Sequence, residues 1–435
     1  MSRLLHRDLA AMVEKLSRRH AVKRGATHLS VLAGVSGSVG NVHSATLPVP
    51  TFSANEVVRI GVIGVGNRSR QLMSQLPDSA RIVAICDCNQ DRVDAALKQF
   101  KSEWPVYNDH RAMFDREELD GVIIGTPDHG RSLPCIEACQ AGLDVYAEKP
   151  LTAYVQEGRA VVEAARKYQR VFQVGTQQRT MEINEHCCRL IREGELGSVR
   201  FVQAVNYTGP RRYQGLPEQA IPAGTDWDRW CGPTPLRPYH RDLQFGWMQW
   251  HAYSGGEMTN WGAHGVDQIQ WALGKSLTGP RELTPITPGP SGKVTATYAD
   301  GTEVRFELEK GPMGGAIFRC EQGKLEINRN RFASNPAGLV KDAPDPAVQK
   351  KWELPGWIAG PHLVNWIDCI KSRERPNADV EIGHRSITFC HLVNITRELG
   401  RKVIWDPDVE RFVDDEEADR LLERPRRSGY ELPKV

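Results

Sequence analysis

The sequence predicts an α/β protein in two parts: a parallel sheet with helices on both faces, then an α+β region of longer, mainly antiparallel strands. Two observations carry the first part. From residue 57, β-favouring runs alternate with helical stretches of about ten residues, and a glycine-rich turn joins the first strand to the first helix. One observation carries the second: beyond residue 176 the strands lengthen and turn back at glycines.

In chain order the alternation reads "VVRIGVIGVG", "SRQLMSQL", "RIVAICD", "RVDAALKQF", "DGVIIGT", "LPCIEACQAG" and "DVYAEKP", closing at "RVFQVGT". Strands separated by such helices form right-handed βαβ crossovers and a parallel sheet. "SVRFVQAVNY" then opens the second region. "KVTATYADGTEVRFELEKG" is a hairpin with Asp300-Gly301 at its turn, and "GGAIFRCEQGKLEINRN" repeats the style with its bend at Gly323. Two helices follow, "PHLVNWIDCIKS" and "IGHRSITFCHLVNITREL". The domain expectation is a leader over 1–44, a proline-bearing linker over 45–56, a dinucleotide-binding domain over 57–175 and a substrate and oligomerisation domain over 176–435.

The chain has 435 residues, a formal net charge of +2 and 25% charged residues, so no global field draws it to nucleic acid or to an anionic membrane. No run of about 20 apolar residues offers a membrane span. Ten cysteines lie in apolar helix and strand contexts without zinc-ligand spacing, which predicts buried thiols and no structural metal. At the N-terminus, Ser17, Arg18, Arg19 and Lys23 precede a weakly apolar run with small residues near Ser44 and Ala45. That is the layout of a twin-arginine export signal, with a periplasmic destination; a basic extension on a cytoplasmic protein is the alternative.

"IGVIGVGNRSR" stands where a dinucleotide fingerprint belongs, after a strand and opening a helix. Gly64 and Gly66 fill the first two glycine positions, with Asn67 and Arg68 continuing the loop around a pyrophosphate, and Ser69 takes the third position. Asp87 ends the second strand 23 residues after Gly64, where a carboxylate accepts hydrogen bonds from the adenosine ribose and repels a 2′-phosphate. NAD is therefore expected ahead of NADP. The competing reading is a glycine-rich turn with Asp87 as a helix cap. Thr126, Pro127 and His129, after the next strand, are expected beside the nicotinamide half.

"YAEKPLT" leaves a buried strand through Glu148, Lys149 and Pro150; Pro150 stops the strand and holds Lys149 at the carboxyl edge, where open α/β sheets bind ligands. Oxidising a carbinol needs a base and a neighbouring positive charge. Lys149 supplies the charge. Asn260 and His264, four apart in "SGGEMTNWGAHGVD", share a helix face, and a histidine titrates near neutrality. Gly255-Gly256 is expected to let the chain approach a ligand. Trp230, Arg237, Tyr239, His240, Trp247, Trp250 and Tyr253 offer aromatic faces and polar edges for a sugar ring; the alternative is that they fill an interdomain core.

"GVIGVGNR", "TPDH", "EKPLT", "VGTQQRT", "WDRWCGPTPLRPYH", "SGGEMTNWGAHGVD" and "IKSRERPNADVEIGHRSITFCHLVNITRELGRKVIWDP" together resemble the Gfo/Idh/MocA oxidoreductase family, over residues 57 to the end. The resemblance implies an N-terminal Rossmann domain, a second domain whose large open sheet mediates homo-oligomers, and sugar or polyol substrates. It implies that Glu148, Lys149 and Gln177 contact the cofactor, that Lys149 also meets the substrate, that His264 is the acid/base, and that Asp267 belongs to the substrate site. Asn260 departs from the aspartate common in the family, and Gly130-Arg131 from its Trp-His. Three functions are compatible: hydride transfer between nicotinamide and a secondary hydroxyl, glycoside cleavage by transient oxidation and elimination on tightly held NAD, and nucleotide or sugar binding with impaired catalysis.

Overall fold

The computed structural model describes residues 51–53, 55–345 and 358–435; the expected export signal and most of the linker lie outside them. The first sheet contains β1 (Val58–Ile63), β2 (Ala80–Cys86), β3 (Val106–Tyr107), β4 (Gly121–Ile124), β5 (Asp144–Ala147) and β6 (Phe172–Val174), in the order β3-β2-β1-β4-β5-β6, all parallel. Strands β4, β5 and β6 are buried along their whole length, which explains their unbroken apolar runs. The order reverses between β1 and β4, so the crevice outside their carboxyl ends is where a ligand is expected.

Helices α1 (Asn67–Met73), α2 (Gln90–Phe100), α3 (His110–Arg116), α4 (Ser132–Gln140) and α5 (Val155–Lys167) make the crossovers. Local chemistry starts two of them: the Asn89 side chain accepts from the amide of Arg92, and Asp109 accepts from that of Arg111. After β6 the chain runs through α6 (Glu182–Arg192) into β7 (Val199–Val205), α7 (Trp227–Cys231), α8 (Arg241–Phe245) and α9 (Glu257–Ala272).

The second sheet adds β8 (Glu282–Pro285), β9 (Val294–Thr297), β10 (Glu303–Leu308), β11 (Ala316–Cys320), β12 (Gly323–Asn328) and β13 (Arg331–Asn335). With β14 (Val403–Asp406) and β15 (Arg411–Phe412) its order is β13-β12-β11-β7-β10-β9-β8-β14-β15. All pairs are antiparallel except β7 with β10. Gly301 at φ +83° turns β9 into β10, and β11 returns as β12 with Cys320 opposite Gly323, both as the sequence reading expects. Residues along β9, β10 and β11 alternate between buried and half-buried, so one face is covered and the other is open.

Two late helices tie the parts together. α10 (Gly360–Ser372) packs Leu363, Trp366, Ile367 and Ile370 among Val58, Ile60 and Tyr146 of the first sheet, although it follows the second in sequence. α11 (Val380–Leu399) touches α5 and β6 on one side and α9, β8 and β9 on the other. It begins at Asp379, which accepts from the Glu381 amide and pairs with Arg166 of α5. All ten cysteines are free thiols, nine of them buried, and burial pushes Cys135 up to about 12. Among the described residues no helix is long and apolar enough to cross a membrane.

Candidate active site

The glycine loop is built by close approach. Gly64 sits at φ +78°, and a Cβ there would come within 2.9 Å of the Thr126 amide, so the turn passes against the end of β4. Ser69 does the work of a third glycine: it is fully buried, and a Cβ on Gly125 would meet its hydroxyl, which leaves helix and strand in direct contact. Above Gly66, by contrast, a Cβ would meet only the Arg92 guanidinium, at 3.6 Å. That space suits a pyrophosphate, and no side chain caps the helix that opens at Asn67. Asn67 itself accepts from Arg70 at 2.6 Å.

Asp87 is not the helix cap; Asn89 is. One Asp87 oxygen accepts from the Val65 amide (2.8 Å) and the other from the Asn89 amide (3.0 Å), so the carboxylate braces the glycine loop beside the place for a ribose. Burial pushes its pKa up, opposed by Arg92 and these amides. The fit to a dinucleotide is therefore physical: a loop with no side chain in the way, a buried carboxylate next to it, and the Thr126 hydroxyl buried without a partner at the same edge.

The cleft runs from this loop to the second domain and holds about 1710 Å³ of space, part of it open to solvent. Glu148 leaves β5 and receives Arg68 at 2.7 Å and the Gln177 amide at 3.1 Å. Arg68 and Lys149 hold its carboxyl below the usual range against burial. Lys149 donates to Asn260 Oδ1 at 2.7 Å and to the Asn260 carbonyl at 3.2 Å. Burial lowers the lysine to about 8, with Glu148 and Asp128 opposing the shift and Arg68 and Arg329 adding to it. Asp128, bonded to Ser254 at 2.8 Å, is raised by burial to about 6.

Asn260 and His264 share the cleft face of α9, as their spacing predicts. The Asn260 amide group donates to Glu257 at 3.0 Å. His264 Nε2 lies 3.3 Å from Arg329 Nη1; a guanidinium only donates, so Nε2 is the acceptor and the proton of the neutral ring belongs on Nδ1. Burial together with Arg329, Lys149 and Arg68 holds this ring well below the ordinary histidine range. Arg329 itself is pushed down to about 10 by burial and by Arg68.

Several sequence expectations are corrected. His129 does not face the Lys149 half of the cleft. It is buried on the Asp87 side, with Nε2 2.8 Å from the Trp230 carbonyl and its ring packed between Trp230 and Tyr253, and burial lowers it to about 3. Thr126 and Pro127 border both halves. Tyr239 and Tyr253 lie in an aromatic cluster in which Trp227 stacks on Trp230 at 4.5 Å, and Arg237 lies 4.0 Å over the Tyr213 ring. The aromatic residues fill a core because each other's rings cover them; Trp230 borders the Asp87 side, and none of Trp230, Arg237, Tyr239 and Tyr253 borders the Lys149 half.

Asp267 turns away from the cleft into a buried ion pair with Arg179 (2.8 Å) and accepts from Ser386 (2.8 Å). Gly256, at φ +72°, clears the backbone at Gly209 and Pro210 rather than a ligand. Arg131 is buried at the border of the cleft and donates to the carbonyls of Thr126 and Pro150, tying two strand ends together. The sequence reading missed Phe245, Met248, Trp261 and Arg329, all of which border the Lys149 half.

The chain resembles known proteins along much of its length. It is 28% identical over 177 residues to an alpha-N-acetylgalactosaminidase of Shewanella oneidensis, which is 36% of this chain and 39% of that one. It is 26% identical over 168 residues to an inositol 2-dehydrogenase of Salmonella typhimurium, 38% of this chain and 50% of that one. The chain thus spans half or less of the length of these relatives. Among solved structures it matches the WlbA dehydrogenase of Chromobactrium violaceum, in complex with NADH and UDP-GlcNAcA, with a TM-score of 0.62, 18% identity and coverage of 83% of this chain and 99% of that one. A family model described as the oxidoreductase family's NAD-binding Rossmann fold matches residues 58–176, and one described as its C-terminal alpha/beta domain matches residues 204–432. With both domains matched, the chain belongs to the Gfo/Idh/MocA oxidoreductase family, and its first domain is an NAD-binding Rossmann domain.

Proposed function

We propose that the cleft interconverts a secondary hydroxyl and a carbonyl on a sugar or polyol. The observation that carries this reading is the Lys149–Asn260 contact, which holds an amine of depressed basicity beside His264 at the edge of the NAD sheet. When bound, NAD supplies the hydride acceptor or donor. The residues of this chain handle the proton. Lys149, poised near 8, is matched to exchange it close to neutral pH. The sequence reading gives that role to His264, but a ring held neutral by burial and three cations is a poor base, and its one acceptor nitrogen is already engaged by Arg329. Asn260 positions the lysine.

The test begins with protein purified without added nucleotide, denatured and examined for released NAD(H) by mass spectrometry, then challenged with sugars and polyols while reduced nicotinamide is followed by absorbance. Formation of NADH that is lost in Lys149→Ala supports the reading. NADH formation at an unchanged rate in that variant removes the lysine from it, and no NADH with any polyol, from protein that binds NAD, counts against the reaction itself.

A second reading is favoured by a separate observation. Tyr430, Arg229 and Trp230 border the Asp87 side of the cleft, an arrangement that would help retain a bound nucleotide. Retained NAD would suit a cycle in which a glycoside hydroxyl is oxidised, the adjacent C–H is deprotonated, the aglycone leaves with a proton, water adds across the double bond so formed, and the hydride returns to the carbonyl. Aglycone release from a glycoside without accumulation of NADH distinguishes it. The arginine-bearing leader supports export of the folded protein, which fractionation and N-terminal sequencing of the mature chain would check.

A further inference from the structure

We propose that the proton taken from the substrate hydroxyl leaves the cleft through Asp128 and Ser254, which hand it to a second cavity next to the site. The proposal rests on the reading of the cleft as a hydroxyl-oxidising site and adds the proton's route out of it. Asp128 follows β4 and borders the cleft, as Lys149 does, yet it is only 1% exposed. Ser254, equally buried, stands just before α9 and donates to Asp128 Oδ2 at 2.8 Å. The Gly256 amide donates to the Ser254 oxygen at 3.2 Å, which holds the hydroxyl in place where α9 begins. Asp128 Oδ1 accepts no hydrogen bond among the described residues; Arg131 stands 3.5 Å from it, with its guanidinium engaged by the carbonyls of Thr126 and Pro150.

Ser254 also borders a separate cavity of about 380 Å³, part of it open to solvent, lined among others by Tyr154, His251, His391 and Glu398. Cleft and cavity share no lining residue, and the Asp128–Ser254 hydrogen bond joins them. At the cavity, His251 is part-exposed and pairs with Glu398 at 3.6 Å, so a proton arriving there meets solvent. The reaction supplies the need. Hydride leaves carbon for NAD, the hydroxyl proton goes to the Lys149 amine, and the ammonium so formed must lose it before the next turnover, while nicotinamide and sugar occupy the cleft. Along the route the ammonium gives its proton to the Asp128 carboxylate, the acid passes it to the Ser254 oxygen, and the hydroxyl's own proton goes to water in the second cavity; the hydroxyl then turns back to Asp128. One proton reaches solvent for each hydride transferred. Burial raises Asp128 to about 6, with Arg131, Ser254 and Lys149 opposing the rise and Glu157 of α5 adding to it, against about 8 for Lys149. Passing the proton on is therefore uphill by a factor of about 100, where an aspartate of ordinary acidity would make it about 10⁴.

The test uses NAD-loaded protein and has two readouts. An infrared pH titration without any sugar should show a buried carboxylic acid that titrates near 6, is absent from Asp128→Asn, and is displaced in Ser254→Ala, which lacks the hydroxyl partner. No such band, or one that persists in Asp128→Asn, overturns the assignment. NADH formation from glucose, galactose and myo-inositol is the second readout. Each variant should lower kcat by about tenfold or more, and added imidazole, a diffusible proton carrier, should restore most of that loss while leaving the parent rate unchanged. A loss that imidazole does not restore means that the pair only holds α9 in place, and overturns the route; so does an unchanged kcat in either variant. Should none of the three sugars reduce NAD, it is the hydride-transfer reading that fails, and the infrared bands still decide for or against the buried acid and its hydroxyl partner.

Discussion

Lys149 and Asn260, 111 residues apart, meet at 2.7 Å across the cleft, amine to amide oxygen. The contact joins the edge of the first sheet to the helix that carries His264, so the two motifs act as one unit. A neutral partner leaves the lysine's basicity to be set by burial, which lowers it to about 8.

The sign of the pH dependence follows. A lysine acts as a base only when neutral, and the neutral form gains above about pH 8. Oxidation rates should therefore rise with pH through an apparent pKa near 8 and level off. The neighbouring groups titrate elsewhere: Asp128 near 6, and His264 and Glu148 below their usual ranges. Lys149→Ala should lower kcat by about 10²–10⁴-fold without loss of the folded circular-dichroism spectrum. A limb near 8 that persists in this variant would assign the titration to another group.

Asn260→Asp puts a carboxylate where the amide oxygen now accepts. An opposite charge at that distance favours the ammonium and should move the alkaline limb up by about 1–3 units. At pH 7 the variant should oxidise more slowly than the parent. Measured kcat profiles decide it: an unshifted limb, or a gain at neutral pH, would mean that asparagine impairs the site rather than tuning it.

Asp87 braces the glycine loop beside the place expected for a ribose, while Arg92 stands close to both. Asp87→Asn keeps the shape and removes the charge. NAD affinity should fall about tenfold, the difference between a charge-assisted and a neutral hydrogen bond. The preference for NAD over NADP should narrow as well, because the repulsion of a 2′-phosphate is lost and Arg92 remains. Titration of nucleotide-free protein with each nucleotide checks both, and an unchanged ratio would remove Asp87 from the discrimination.

What was legible in the sequence is what short spacing encodes. The βαβ alternation, the glycine loop with Asp87, and the Asn260–His264 helix face each need only a few neighbouring residues to specify them. Lys149 was legible because Pro150 ends its strand. Arg329 was not, since "NRNR" reads as a polar hairpin tip and only Asn184, which clasps that tip from a helix far earlier in the chain, turns its side chain inward. The aromatic run failed in the same way. Its composition suits a sugar site or a core equally, and tertiary packing sends Tyr239 and Tyr253 to the core but Trp247 to the cleft. Asp267 follows His264 by three residues, yet Arg179 and Ser386 draw it to a different neighbour.

The C-terminal segment offers the last prediction. Arg427 donates to the Gly232 carbonyl at 2.8 Å and pairs with Asp228 at 2.8 Å, fastening the tail to α7, while Tyr430 and Gly232 border the Asp87 side of the cleft. Arg424 reaches the His129 carbonyl at 2.7 Å on the same side. If these contacts close the nucleotide in, its escape requires the tail to lift. Arg427→Ala removes the fastening at a half-exposed position, where an ion pair contributes at most about 1 kcal/mol to global stability. Thermal stability should therefore change little while the release of bound NAD speeds up by about tenfold, since affinity changes of this kind fall mainly on dissociation. Dilution of protein loaded with isotopically labelled NAD into unlabelled nucleotide measures that rate. An unchanged rate in a folded variant would show that the tail does not limit escape, and would remove the structural support for a retained cofactor and for the elimination chemistry that depends on it.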